Sequence, residues 1–475
     1  MSNPETNLRK FTLALFLAAA VAGCTTTPTA PPVLDLPQAT VNDPALGRWW
    51  TAFGDPTLTA LIDEALANSL NLAAAVARVD EARAQYKIVA FAQLPELDVT
   101  ANAGRNRQTG LGSIPLPSGT NLTSNDFLVG FKASYEVDLW GKYRTATQAA
   151  KNDFFASEYA RETVRTVVAA EVARAYFRLI ASDAQVSLLR DTLKSRSETV
   201  VLQKDRYQAG VIGDFDLNTA EAEEAAVASD IALAVRIQAE NESALAVLLG
   251  RSPREVYEPK FTRDVQMVWL MQVPTLPPGL PSDLLARRPD IRDAEKQLAA
   301  ANQRIDVARA DYYPQLTLTG SYGSESNVLK SLFSGPAMIW GIGAGLLQPI
   351  IGLKLVDATV ELRSAQRDGS VINYRQTVQA AFRDTHDALV ANQTTREALA
   401  AQSARREKLQ KSLELANLRY TSGYSPYLEV LDVQRQLLQA QTLQILAARD
   451  VRLAVVDVAK ALGGGWDYKA EVAAP

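Results

Sequence analysis

His386 and Cys24 are the only histidine and the only cysteine in a chain of 475 residues. A Ser-His-Asp triad would have to use His386. That residue lies in a long helical pattern among Arg383, Asp384 and Asp387 and reads as a solvated or interhelical side chain. A zinc cluster of His and Cys ligands cannot be assembled, and neither can an internal disulfide. The sequence shows no nucleophile-base or metal constellation, and it assigns no catalytic group. The formal charge of −4 offers no basic face for nucleic acid. The chemistry that remains is modification of a single thiol.

The position of that thiol is informative. Arg9-Lys10 precede an apolar run from Phe11 to Val21, and Ala22-Gly23 lead into Cys24. A basic start, a short apolar stretch and small residues before the cut predict a secretory signal over 1–23. The run is too short to span a bilayer. Val21-Ala22-Gly23-Cys24 resembles a bacterial lipobox, which implies that Cys24 becomes the lipidated first residue. An ordinary signal peptide with an incidental cysteine is the alternative. Thr25 comes next instead of Asp, so the inner-membrane retention signal of such lipoproteins is missing and the resemblance points to the outer membrane. Each buried acyl CH₂ contributes ~0.8 kcal/mol, so several chains anchor firmly. Apart from this covalent lipid no cofactor is expected. Residues 24–48, rich in Thr and Pro, read as an extended tether.

Beyond the tether, the chain is one unit written twice. Arg206-Tyr207-x-x-Gly210 reappears at Arg419-Tyr420-x-x-Gly423. Thr166-Val167 returns as Thr377-Val378, and Pro95 and Leu97 return as Pro314 and Leu316. The order in each half is helix, strand, strand, very long helix, turn, long helix. The first repeat spans 49–250, with strands about 96–107 and 125–140 and long helices over 141–207 and 214–250. The second spans 284–463, with strands about 314–323 and 336–349 and long helices over 353–421 and 427–462. A proline-rich linker, 251–283, joins them, and 464–475 form a tail.

Residues 142–209 contain no Gly and no Pro, and 353–422 contain only Gly369. At ~1.5 Å per residue the first stretch would make a rod of about 100 Å. Uncapped periodic patterns this long suggest coiled coils or helical arrays. Val172, Ala175, Leu179, Val186, Leu189 and Leu193 fall on a heptad seam, as do Val430, Val433, Leu437 and Ala440.

The strands separate a membrane protein from a soluble bundle. Phe127, Val129, Phe131, Ala133, Tyr135 and Val137 alternate with Gly130, Lys132, Ser134 and Glu136. Met338, Trp340, Ile342, Ala344 and Leu346 alternate with Ile339 and three glycines. This period suits a transmembrane barrel with one face to lipid and one to a wet lumen, though a half-buried soluble sheet shares it. Two strands per repeat make four, and a membrane barrel needs at least eight, because open edges do not survive in lipid. Several chains must then share one barrel. Three chains would give a twelve-stranded ring with near-sixfold symmetry. The expected fold is mainly α with a β-barrel portion: a trimeric twelve-stranded transmembrane β-barrel continuous with a long periplasmic α-helical barrel. Loops 108–123 and 324–335 would face outside the cell.

Across essentially the whole mature chain the sequence resembles the TolC-type outer-membrane efflux factors, in their lipoprotein (NodT-like) branch. The segments that carry the resemblance are Leu284-Leu285-Ala286-Arg287-Arg288-Pro289-Asp290-Ile291 with Ala294-Glu295, Trp49-Trp50, Phe53-Gly54-Asp55-Pro56-x-Leu58, Asp138-Leu139-Trp140-Gly141 and both Arg-Tyr-x-x-Gly copies. The resemblance implies a homotrimer acting as the exit duct of a tripartite efflux pump for small molecules such as drugs. A periplasmic adaptor and an inner-membrane transporter, most often of the resistance-nodulation-division class, would complete it.

By motif match the resemblance implies a periplasmic gate at the hairpin turns. Asp216, Tyr420, Glu429 and Asp432 would form it, and Arg206, Tyr207, Gly210, Val211, Arg419, Gly423 and Tyr424 would be the tips that meet the adaptor. Rings of carboxylates at a constriction attract cations and repel one another. Solvated acids at helix starts are the alternative for Glu429 and Asp432. Two departures stand out: Ser425 replaces an arginine that some relatives carry, and Leu353-Lys354 lack the basic pattern of Lys142-Tyr143-Arg144. Rival functions are metal-ion or protein export on the same scaffold, or a lipid-anchored periplasmic coiled-coil protein. Only four Met and one His speak against a metal-lined lumen.

Overall fold

A computed structural model describes residues 47–109, 121–261 and 288–464, together with residues 111, 117, 119, 263, 273 and 274. Cys24, the signal and tether segments up to residue 46, most of the linker and nearly all of the C-terminal tail lie outside the described residues. After a short 3-10 turn, Trp49–Phe53, the elements are α1 (Pro56–Asn68), α2 (Leu70–Phe91), β1 (Glu96–Arg107), β2 (Thr123–Val137), α3 (Lys142–Gln208), α4 (Asp214–Leu248) and α5 (Pro253–Tyr257). The second half supplies α6 (Pro289–Ala310), β3 (Gln315–Ser326), β4 (Met338–Leu347), α7 (Leu353–Thr421) and α8 (Tyr427–Ala461).

The chain forms two compact units, and neither is a sequence repeat. One consists of Glu81–Phe155 with Glu295–Asn373; the other takes residues up to Asp80, Ala156–Ala294 and Tyr374 onward. Each unit therefore draws one share from each repeat. The cause is length: α3 and α7, with 67 and 69 residues, belong to both units.

The first unit is built around a four-stranded sheet of order β1-β2-β3-β4, every neighbouring pair antiparallel. The joining pair, β2 with β3, comes from different repeats. Pairing runs unbroken from Glu96↔Ser134 to Arg107↔Thr123, from Phe127↔Ser326 to Val137↔Leu316, and from Gln315↔Leu347 to Ser324↔Met338. Pro95 and Pro314 stand just before β1 and β3, where a helix cannot continue.

Strand ends depart from the sequence expectation for identifiable reasons. β2 stops at Val137 because the Asp138 carboxylate turns to the next helix, accepting from Tyr143 N at 3.2 Å and Arg144 N at 2.9 Å. Gly141, at φ +77°, makes the turn between them. β3 runs on to Ser326, which pairs with Phe127. β4 begins only at Met338, because Gly335–Ala337, with Pro336, forms a 3-10 turn. Its other end is Leu347, beyond which Gln348 Nε2 donates to Tyr312 O at 3.2 Å.

The second unit has a helical core. Trp49, Trp50, Leu58 and Ile62 pack on Val172, Tyr176 and Leu179 of α3, with Leu245, Leu249 and Val456 also buried there. Asp55 caps α1, its Oδ1 accepting from Thr57 N at 2.8 Å and Leu58 N at 3.0 Å, and Pro56 opens the helix. Its other oxygen, Oδ2, accepts from the buried Tyr176 hydroxyl at 2.7 Å. Phe53-Gly54-Asp55-Pro56 is thus an anchor for the N-terminal segment.

Candidate functional site: a sheet wall and two hairpin turns

Residues paired directly across strands point to the same side of a sheet. The register therefore sorts every strand side chain. Val99, Phe131, Tyr322 and Trp340 form one row, and Leu97, Ala133, Gly320 and Ile342 the row two residues away. Tyr135, Leu318 and Ala344 extend the same face. This face is apolar yet open: Trp340 is 68% and Ile342 84% exposed in the single chain.

The other face carries Asp98, Asp126, Glu136 and Glu325, one lysine, Lys132, and the glycines of β4. Gly130 and Gly323 oppose each other on it, and a Cβ on Gly323 would stand 2.4 Å from Val129 O. Backbones approach too closely there for any side chain. The outer edges of β1 and β4 have no partner strand among the described residues. An apolar exposed face, a polar face and two open edges are what a fraction of a shared barrel presents. Among the described residues no single helix is long and apolar enough to cross a membrane.

In the second unit, the two Arg-Tyr-x-x-Gly copies close α3 and α7 in the same way. Val211 N bonds to Arg206 O at 2.9 Å and Gly210 N to Tyr207 O at 2.9 Å. Tyr424 N bonds to Arg419 O at 2.8 Å and Gly423 N to Tyr420 O at 3.0 Å. These are Schellman pairs, and they need a left-handed residue where each motif has Gly. Gly210 has φ +64° and Gly423 φ +76°, and a Cβ on either would meet nothing within 4 Å. Backbone angle, not crowding, selects glycine.

The side chains break this symmetry. Tyr420 Oη accepts from Arg206 Nη1 at 2.5 Å and from Gln203 Nε2 at 3.1 Å, with the Arg206 guanidinium 5.0 Å from the ring centre. Tyr207 instead faces the Asp214 carboxylate, which holds its phenol above the ordinary value. Arg419 pairs with Glu429 at 3.5 Å, and Asp432 accepts from Gln436 at 2.7 Å. Asp216 lies in the first turn of α4 and joins none of these contacts. Val211 and Tyr424 are exposed.

Beside them Tyr427, Val430 and Leu431 pack on Ala220 and Ala416, and burial raises the Tyr427 phenol. Sequence reasoning missed the polar partners here. Gln203 is fully buried, and Arg196, also buried, bonds to Gln434 and lies 3.9 Å from Glu223, to which Arg435 Nε also donates at 2.9 Å. One signal was available: Gln203 occupies the repeat position held by Ala416, so the copies differ where the structure uses a polar group. His386 is exposed on α7 with Nδ1 3.3 Å from Asp387 Oδ1.

The family model for outer membrane efflux proteins matches residues 61–251 and 280–464. The chain belongs to the outer membrane efflux protein family. It is 34% identical over 415 residues to the solvent efflux pump outer membrane protein SrpC of Pseudomonas putida, covering 87% of this chain and 86% of that one. It is 32% identical over 420 residues to the probable outer membrane lipoprotein SilC of Salmonella typhimurium, covering 88% of each. The outer membrane channel CmeC of Campylobacter jejuni superposes with a TM-score of 0.84 at 28% identity, over 92% of this chain and 95% of that one.

The efflux protein is thus an outer-membrane channel component. Its fold is that of a trimeric channel, in which each chain gives four strands to a transmembrane β-barrel and the long helices form a periplasmic helical barrel. The apolar face of the sheet is the lipid face, and the acidic, glycine-bearing face lines the lumen. The coiled-coil structural role is set aside by this membership.

Proposed function

We propose that the efflux protein is the passive exit duct of a tripartite pump, completed by a periplasmic adaptor and an inner-membrane transporter of the resistance-nodulation-division class. It conducts small molecules such as drugs or solvents, and the transporter supplies the energy. Cys24 carries the anchoring lipid. Conduction needs no bond to be made or broken, so no catalytic group is required.

The observation that carries the gating part is the bond from Arg206 and Gln203 to Tyr420, which links the end of α3 to the end of α7. Two helical hairpins of one chain are thereby tied at their turns. Tyr420, Glu429, Asp432 and Asp216 are the gate residues in this reading. An adaptor seated on the exposed turn residues Val211 and Tyr424, next to Tyr207, Gly210 and Gly423, can release the tie by competing for Arg206 and Arg419. Similarity to SrpC, whose name describes a solvent pump component, supports the small-molecule cargo.

A photo-crosslinking residue at Val211 or Tyr424 tests the partner arrangement in intact envelopes. The expected result is a covalent adduct with a periplasmic adaptor from both positions. Adducts from neither position, with the trimer present in the outer membrane, contradict it.

A further inference from the structure

The lipid face of the sheet carries charge at only one level. By the register, its β1 members are Leu97, Val99, Ala101, Ala103, Arg105 and Arg107. Arg105 pairs with Asn125 and Arg107 with Thr123, so within the chain no acid stands across from either. Every acidic residue of the four strands is on the opposite face. Both arginines are exposed, and neither has a hydrogen bond or ion pair among the described residues.

Their height is set by strand geometry. β1 enters from α2 at Glu96, so Arg107 is at the end away from the helices, toward the outside of the cell. With ~3.3 Å per residue and a tilt of roughly 40°, Arg105 stands about 20 Å and Arg107 about 25 Å above Leu97. The apolar band of an outer-membrane barrel is also about 25 Å tall. Below them the face is uncharged; with the lower edge of the band set at Leu97, both arginines fall at its outer rim, where acyl chains give way to headgroups. A guanidinium matches a phosphate with two parallel hydrogen bonds, and alternate positions on a strand project both forks outward together.

We propose that Arg105 and Arg107 form a binding site for the phosphate groups of a phosphorylated lipid in the outer leaflet, repeated in each protomer of the trimer. The bound lipid covers the outer part of β1, the strand at the edge of the sheet, with its acyl chains on Val99 and Ala101. Charge complementarity selects this occupant over a neutral lipid.

The test uses the intact trimer, freed of lipid in a neutral detergent and probed by native mass spectrometry. The probes are bis-phosphorylated lipid A and its dephosphorylated form. At about fivefold per basic residue near an anionic surface, the native trimer should retain the phosphorylated form at least several-fold over the other. The Arg105→Gln/Arg107→Gln trimer should lose that preference. Equal retention of the two lipids by the native trimer overturns the proposal without recourse to any variant, and so does an undiminished preference in the double variant. Displacement of lipid A by the same concentration of inorganic phosphate would show a simple anion contact and also overturn it.

Discussion

The Tyr420 hydroxyl accepts a hydrogen bond from Arg206 Nη1 at 2.5 Å, joining the last turn of α7 to the last turn of α3. Two copies of one motif thereby meet through different members, the arginine of the first and the tyrosine of the second. Hydrogen bonds to charged groups contribute ~1.5–3 kcal/mol, enough to bias a mobile tip. Tyr420→Phe removes the bond while keeping the ring beside Tyr427, 5.6 Å away. In planar bilayers this variant should show higher mean conductance than the native channel. Replacing Glu429 and Asp432 with their amides should lower cation selectivity. Native conductance and selectivity in both variants would remove these residues from the gate.

Gly323 and Gly345 share the lumen face but differ in their surroundings. A Cβ on Gly323 would meet Val129 O at 2.4 Å and Gly130 Cα at 2.7 Å, whereas one on Gly345 would meet nothing within 4 Å. Overpacking costs ~1–3 kcal/mol, and more where only backbone can yield. Gly323→Ala should lower the melting temperature of the trimer, and Gly345→Ala should leave it within error. Identical melting of the two would contradict the β2–β3 register.

Much of this was legible because helices and strands here are long and unbroken. Absence of Gly and Pro marked α3, and alternation from Phe127 to Val137 marked β2 and its apolar face. The end of β2 was not legible, since it depends on where a single carboxylate, Asp138, spends its hydrogen bonds. Nor were the compact units, because repeats in sequence do not say that β2 will pair with β3. At the turns the glycines were correctly placed, yet their partners were hidden. Gln203 and Arg196 are ordinary polar residues in a helical pattern and become informative only when another helix buries them. Arg105 and Arg107 stood in plain view, but only the pairing register puts them on the lipid side.

Asp55 serves two elements with one carboxylate, capping α1 and accepting from Tyr176. Asp55→Ala should lose about 1 kcal/mol from the cap and a further ~1–3 kcal/mol from the buried hydroxyl left unpaired. Asp55→Asn retains an acceptor and should lose less. Denaturant titrations of the two variants check this; equal stability of Asp55→Ala and native protein would contradict the anchor.

Tyr143 Oη donates to Glu136 Oε2 at 2.8 Å. Burial, and then this bond, push its phenol up to about 12 from 10.0. The folded chain keeps a proton that the unfolded chain releases earlier. The contribution to stability is therefore full below the unfolded value of 10.0 and is lost as pH rises through about 12. Tyrosinate absorbance of native protein minus Tyr143→Phe should titrate near the upper value; titration at the ordinary value would contradict the contact.

The central claim is that one chain contributes an open four-stranded sheet, and that a conducting pore exists only where chains pool their strands. Single-channel recording of size-separated trimers and monomers in planar bilayers tests it most directly. Trimers should insert and conduct, and monomers at equal protein mass should give no unitary steps. Monomers that conduct like the trimer would contradict the account.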